Sequence, residues 1–183
     1  MKSVKTKVFS GLLVFGLILL FSGVANAKDF MFILKFDKGE MFNDFDPSKV
    51  EMGLAKEHMA KGAKVSMKLM FKTKCGIGEL HPGRAAWGEF TKMTFTVYND
   101  SKEERKMKVI VKGAKEPANG DTNRMDYVCK LPPGESVQTI DLTKEKCKDG
   151  TSTLDLSKIY LYAFSNPDEE PLTVYISDLK LVK

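Results

Sequence analysis

The sequence predicts an all-β domain, a two-sheet antiparallel β-sandwich of about eight strands that follows an N-terminal signal helix. Three observations lead there. Short runs alternate apolar and polar side chains, which puts neighbouring residues on opposite faces of a strand. Turn residues separate the runs: Asp37-Lys-Gly-Glu40, Asn99-Asp-Ser-Lys102, Pro132-Pro-Gly-Glu135 and Asn166-Pro-Asp-Glu-Glu-Pro171. No long segment carries the helical period of apolar residues.

The leader comes first. Lys2, Lys5 and Lys7 precede an almost wholly apolar run from Val8 to Phe21, and Ser22-Gly-Val-Ala-Asn-Ala27 ends it with small residues at Ala25 and Ala27. A basic segment, an apolar segment and a small-residue cleavage site make an export signal, with cleavage expected after Ala27. The division is therefore residues 1–27 as signal peptide and 28–183 as one β-sandwich domain. No Cys follows the apolar run, which argues against a lipid anchor, and no stable membrane anchor is expected after cleavage. The protein is expected in the periplasm or the medium.

The strands are expected in order along residues 28–183. Phe30–Phe36 is the first. Residues 41–62 read as irregular, with a short helix over Pro47–Met59, because Pro suits a first helical turn. Ala63–Phe71 alternates, with Val65, Met67 and Leu69 on one face. Lys72–Glu89, rich in glycine and holding the only Trp, reads as a loop. Thr91–Tyr98 is the clearest strand: Met93, Phe95 and Val97 face one way, Lys92, Thr94, Thr96 and Tyr98 the other. Arg105–Lys112 repeats this with Met107, Val109 and Val111 inward and lysines outward. Residues 113–124 form a second loop. Met125–Leu131 and Ser136–Leu142 flank a Pro-Pro-Gly turn in which Gly134 is free to take positive φ. Thr143–Thr153 is a charged loop, and Leu156–Phe164 and Leu172–Val182 close the domain. In the last strand the alternation slips at Ser177-Asp178, which marks a β-bulge.

Charge and cysteines narrow the function. The formal charge of +5 includes the three leader lysines, so residues 28–183 carry only +2. That gives no warrant for a nucleic-acid partner. Cys75, Cys129 and Cys147 are an odd number for an oxidising compartment. Cys129–Cys147 is the expected disulfide, since Cys147 lies in a loop able to fold back. His58 and His81 are the only histidines. No Ser-His-Asp order, metal-ligand spacing or phosphate loop accompanies them, and no enzyme is expected.

Four stretches together resemble the galactose-binding-like β-jelly rolls found in carbohydrate-binding modules. They are the first strand ending in Phe36-Asp-Lys-Gly-Glu40; Trp87-Gly-Glu-Phe-Thr-Lys-Met-Thr-Phe-Thr-Val-Tyr-Asn99; Leu131-Pro-Pro-Gly-Glu-Ser-Val-Gln-Thr-Ile-Asp-Leu142; and Leu154-Asp-Leu-Ser-Lys-Ile-Tyr-Leu161 with Val174-Tyr-Ile-Ser-Asp-Leu-Lys-Leu181. The resemblance implies an exported, non-catalytic module with a polysaccharide or glycan as partner. The alternative is a structural or protein-interaction domain of the cell envelope with no sugar site, since one scaffold serves many functions.

The resemblance also implies one structural Ca²⁺, held between the turn after the first strand and an acid in the last. Asp178 matches the second place, and either Asp37 or Glu40 the first; the cation needs several oxygens, some of them backbone carbonyls. A sugar site needs flat aromatic rings beside polar groups. Tyr160, Tyr162 and Phe164 share one face of their strand, opposite the apolar Ile159, Leu161 and Ala163. Such a strand is either buried on both sides or offers one side to a ligand. Tyr98 and Tyr127 are further candidates for the binding face. Arg84, with His81 and Trp87, lies in a loop able to reach it. The competing role for every one of these rings is core packing.

Overall fold

A computed structural model describes residues 29–113 and 121–183. The signal peptide expected at 1–27 lies outside the described residues. The described chain forms two antiparallel sheets packed face to face. In chain order the strands are β1 (Phe30–Phe32), β2 (Asp44–Phe45), β3 (Val50–Ala55), β4 (Ser66–Phe71), β5 (Cys75–Leu80), β6 (Lys92–Asn99), β7 (Arg105–Gly113), β8 (Arg124–Leu131), β9 (Gly134–Asp141), β10 (Ile159–Asn166) and β11 (Leu172–Val182). One sheet has six strands, ordered β3-β4-β11-β6-β9 with β1 also on β11; the other has five, ordered β2-β5-β10-β7-β8.

The alternating segments form strands because each has one apolar face to bury. Met93, Phe95 and Val97 of β6 and Met107, Val109 and Val111 of β7 are all buried between the sheets. Gly134 takes a φ of +82° at the turn into β9, a conformation that suits a residue without Cβ. The slip in β11 is a bulge: its pairing with β6 shifts between Ser177 and Lys180, and Asp178 there has a φ of +55°. The bulge lets β11 pair with β4 through Leu172–Ile176 and with β1 through Lys180–Val182.

Three expectations are corrected. Phe30–Phe36 is shorter as a strand, ending at Phe32, and Phe36–Lys38 is a turn of 3-10 helix. The helix expected over Pro47–Met59 is instead strand β3, which pairs with β4 along its whole length and turns Val50 and Met52 toward the interior. The loop expected over Lys72–Glu89 contains β5. Its glycines hide a strand, and Gly78 is required there: a Cβ on it would meet the Tyr162 carbonyl oxygen at 2.3 Å and the Ala163 Cβ at 2.7 Å. β5 therefore lies against β10 only because Gly78 has no side chain.

The core is joined across the sheets by aromatic rings. Trp87 contacts Tyr162 at 5.7 Å between centroids, and Tyr162 contacts Phe42 at 6.3 Å. Phe42 contacts Phe164 at 5.7 Å, and Phe164 meets Phe95 of the opposite sheet edge-on at 5.2 Å. The Trp87 indole N–H donates to the Arg84 carbonyl at 2.6 Å, so this fully buried ring keeps its polar atom satisfied.

The expected Cys129–Cys147 bridge does not form; all three cysteines are free thiols. Lys148 donates its backbone N–H to Arg124 at 2.8 Å, which holds Cys147 beside the start of β8. Cys129 lies further down that strand, about 17 Å beyond Arg124 at the usual rise. A disulfide needs Cα atoms within about 7 Å. Burial pushes the Cys129 thiol up to about 12 and raises that of Cys147, which keeps both unreactive.

Candidate functional site

Strand β10 decides where a ligand can lie. Tyr162 and Phe164 are wholly buried, so they form no platform, which corrects the expectation for these two rings. Their face is the inward one. The outward face of β10 carries Leu161, Ala163 and Ser165, and strand register sets their neighbours across the five-stranded sheet. Leu80, Leu161, Lys112 and Arg124 form one row. Asp44, Gly78, Ala163, Ile110 and Asp126 form the next, and Gly76, Ser165, Lys108 and Val128 the third. Small residues in the middle and long ones at the sides leave a groove of about 490 Å³, lined by Asp44, Gly78, Ile110, Lys112, Arg124, Leu161 and Ala163 among others.

A polar network stands along one side. Arg124 forks onto Asp126, its Nε donating at 2.6 Å and its Nη2 at 3.0 Å. Lys108 adds a second cation to the same carboxylate at 3.5 Å. Bidentate pairing holds the guanidinium plane rigid and leaves further N–H groups for a ligand. Such a constellation, beside the apolar surface of Ile110, Leu161 and Ala163, suits a partner with hydroxyls and a C–H face.

Tyr160 is the aromatic candidate that stays near this face. The register of β10 on β7 shifts between Ile159 and Leu161, which makes Tyr160 an extra residue between an inward and an outward neighbour. It is half-buried, and its ring meets His81 edge-on at 4.7 Å. The other rings lie elsewhere. Tyr127 is half-buried on the inward side of β8, packed on the core. Tyr98 is on the outer face of the opposite sheet, stacked on His58 at 3.6 Å.

Arg84 does not reach the groove. Its Nη1 and Nη2 donate to the two carboxylate oxygens of Glu40, each at 2.7 Å, and Nη1 also to the Ile33 carbonyl at 2.9 Å. The Lys35 backbone N–H donates to the same carboxylate at 2.7 Å. These bonds, those from Arg84 foremost, hold the Glu40 carboxyl down at about 2, against an ordinary value of 4.5. A depressed carboxyl stabilises the fold above its unfolded value and ceases to do so as pH falls through its folded one. The melting temperatures of the native protein and of Glu40→Gln should therefore differ most above about pH 5 and converge toward about pH 2.

This pairing also bears on calcium. Asp37 and Asp178 line a common cavity of about 170 Å³, but both Glu40 oxygens are occupied by a guanidinium. Among the described residues no three His, Cys, Asp or Glu side chains cluster as a metal site. With Glu40 held by Arg84, Asp37 is the first-turn acid that shares a cavity with Asp178.

Lys108, Lys112, Arg124 and Asp126 escaped the sequence reading as site residues. The lysines of β7 read there only as pointing outward. The one signal was that β10 is apolar on both sides.

No family model matches the chain, and no curated protein matches it. Solved structures do. The family 11 carbohydrate-binding module from Clostridium thermocellum, in complex with a β-1,3-1,4-mixed-linked tetrasaccharide, superposes with a TM-score of 0.60 at 14% identity, over 73% of this chain and 82% of that one. The solution structure of CtCBM11 gives a TM-score of 0.66 at 14% identity, over 86% and 97%. The family 30 module of a Clostridium thermocellum cellulosomal cellulase gives 0.56 at 16% identity, over 78% and 90%. The fold is the β-jelly roll found in carbohydrate-binding modules.

Proposed function

We propose that the protein is an exported, non-catalytic carbohydrate-binding module that takes a polysaccharide chain across the outer face of its five-stranded sheet. The observation that carries this reading is the groove over Gly78, Ala163 and Ile110 with the Arg124–Asp126–Lys108 network at its side. The jelly-roll neighbours support it, since one of them is described with a bound tetrasaccharide. The leader supports export, with residues 1–27 removed. Arg124 and Asp126 bond sugar hydroxyls, and the apolar floor meets C–H faces.

The test is retention of the purified protein on immobilised polysaccharides, with Ala163→Gln beside it. Ala163 faces outward over Gly78, so a longer side chain fills the groove and leaves the core intact. The native protein should be retained by at least one polysaccharide, and Ala163→Gln should bind it about tenfold more weakly or worse. Equal retention of the two would move the site elsewhere.

A second reading, an envelope domain that binds protein, is favoured by the scarcity of rings in the groove, where Phe45 is the one aromatic lining residue. Val137, 68% exposed on the edge strand β9, adds to it. Failure of a folded sample to bind any polysaccharide would select this reading.

A further inference from the structure

We infer that the ligand of this groove is an anionic polysaccharide, one bearing carboxylate or sulfate groups; the inference rests on the carbohydrate-binding reading and names its substrate class. The argument begins with register. The outward residues of β7 and β8 are Lys106, Lys108, Ile110 and Lys112 on one strand and Arg124, Asp126, Val128 and Lys130 on the other. With Asp44 and Asp46, which both line the groove, this face sets five cations against three carboxylates. That surplus equals the +2 of residues 28–183 as a whole, so the net positive charge lies on the sheet that carries the groove. A surface of one sign raises the local concentration of ligands of the other.

The pairing within the face sharpens the point. Asp126 is already taken by Arg124 and Lys108. Lys112, which lines the groove, has no ion-pair partner among the described residues, and neither have Lys106 and Lys130. Lys112 sits beside Leu161 and opposite Arg124, on the lining of the groove. Arg124 keeps its Nη1 free of the bonds to Asp126. A carboxylate or sulfate on the chain meets both groups.

What the groove lacks points the same way. Neutral glucan chains offer flat C–H faces, which aromatic rings recognise by stacking. Here the floor is Gly78, Ala163 and Ile110, with Phe45 half-buried at one side. With little ring surface available, charge becomes the feature that selects the ligand.

The experiment measures binding of the purified protein to polygalacturonate, a sulfated carrageenan, neutral mixed-linkage β-glucan and single-stranded DNA, at low and high NaCl. Polygalacturonate or carrageenan should bind at least about tenfold more tightly than the neutral glucan, and raising salt from about 0.05 to about 0.5 M should weaken that binding severalfold. The two anionic arms separate a carboxylate from a sulfate ligand. Lys112→Glu with Lys106→Glu should reduce anionic binding about tenfold or more, while Lys92→Glu, exposed on the other sheet, should not. These are surface changes, and circular dichroism confirms that the variants are folded. Salt-insensitive binding of the neutral glucan as tight as that of the anionic chains would overturn the inference and leave the carbohydrate reading standing. Equal binding of single-stranded DNA would overturn it as unselective charge. Retention of none of the polysaccharides would remove both.

Discussion

Tyr162→Ala should lower the melting temperature by roughly 10 °C, a loss of about 4 kcal/mol. Tyr162 is fully buried, with its ring between Trp87 and Phe42. Truncation removes the contacts of a whole ring and leaves a cavity in a packed interior. It also strips Glu79 of the phenol that donates to it at 2.6 Å. A ring that served as a binding platform would behave differently: its loss would weaken ligand binding and barely move stability. Tyr162→Phe separates packing from the hydrogen bond. It keeps the ring and should cost only about 1 kcal/mol. Thermal melts of both variants check this. A Tyr162→Ala protein that melts within about 2 °C of the native one would contradict the burial of this residue.

Gly78→Ala is the second large effect. The new methyl cannot be placed: it would lie 2.3 Å from the Tyr162 carbonyl oxygen and 2.7 Å from the Ala163 Cβ. Both neighbours belong to β10, and the first is backbone. β5 must therefore move away from β10, breaking a ladder that runs from Leu161–Leu80 to Asn166–Cys75. Overpacking of this kind costs about 3 kcal/mol or more, and because the methyl also rises into the groove floor, ligand affinity should fall with it. Gly53→Ala is the control, since nothing lies within 4 Å of a Cβ there. It should leave both melting temperature and binding unchanged. Denaturant unfolding of the two variants, side by side, reads the difference.

Strands with one dry face were legible in the sequence. In β6 and β7 strict alternation separates buried from outward residues, and the slip at Ser177-Asp178 showed the bulge in β11 at the right place. Segments whose local chemistry opposed their tertiary role were not legible. β5 contains Gly76 and Gly78, residues that mark loops, because its backbone must approach β10 closely. β3 follows Pro47 and contains Glu, Met, Leu and Ala, which suit a helix; pairing with β4 overrides that preference.

The site was legible only in part. β10 stood out because both its faces are apolar, and it does lie at the centre of the groove. Which face is which depends on the bulge at Tyr160 and on the partners of Ala163, and neither is written in the strand itself. Tyr162 and Phe164, the larger residues, took the core; Leu161 and Ala163, the smaller ones, were left to line the groove. Arg84 sat in the right kind of loop but is held by Glu40, a partner distant in sequence. The disulfide failed for a similar reason, since spacing does not reveal that Cys147 meets the far end of the strand carrying Cys129.

The most direct measurement is amide chemical-shift mapping during titration with an oligosaccharide of whichever polysaccharide the protein retains. Shifts should concentrate on Ile110, Lys112, Arg124, Asp126, Leu161 and Ala163. Shifts confined to the opposite sheet around Tyr98 and His58, with Ala163 unmoved at saturation, would contradict the assignment of the groove.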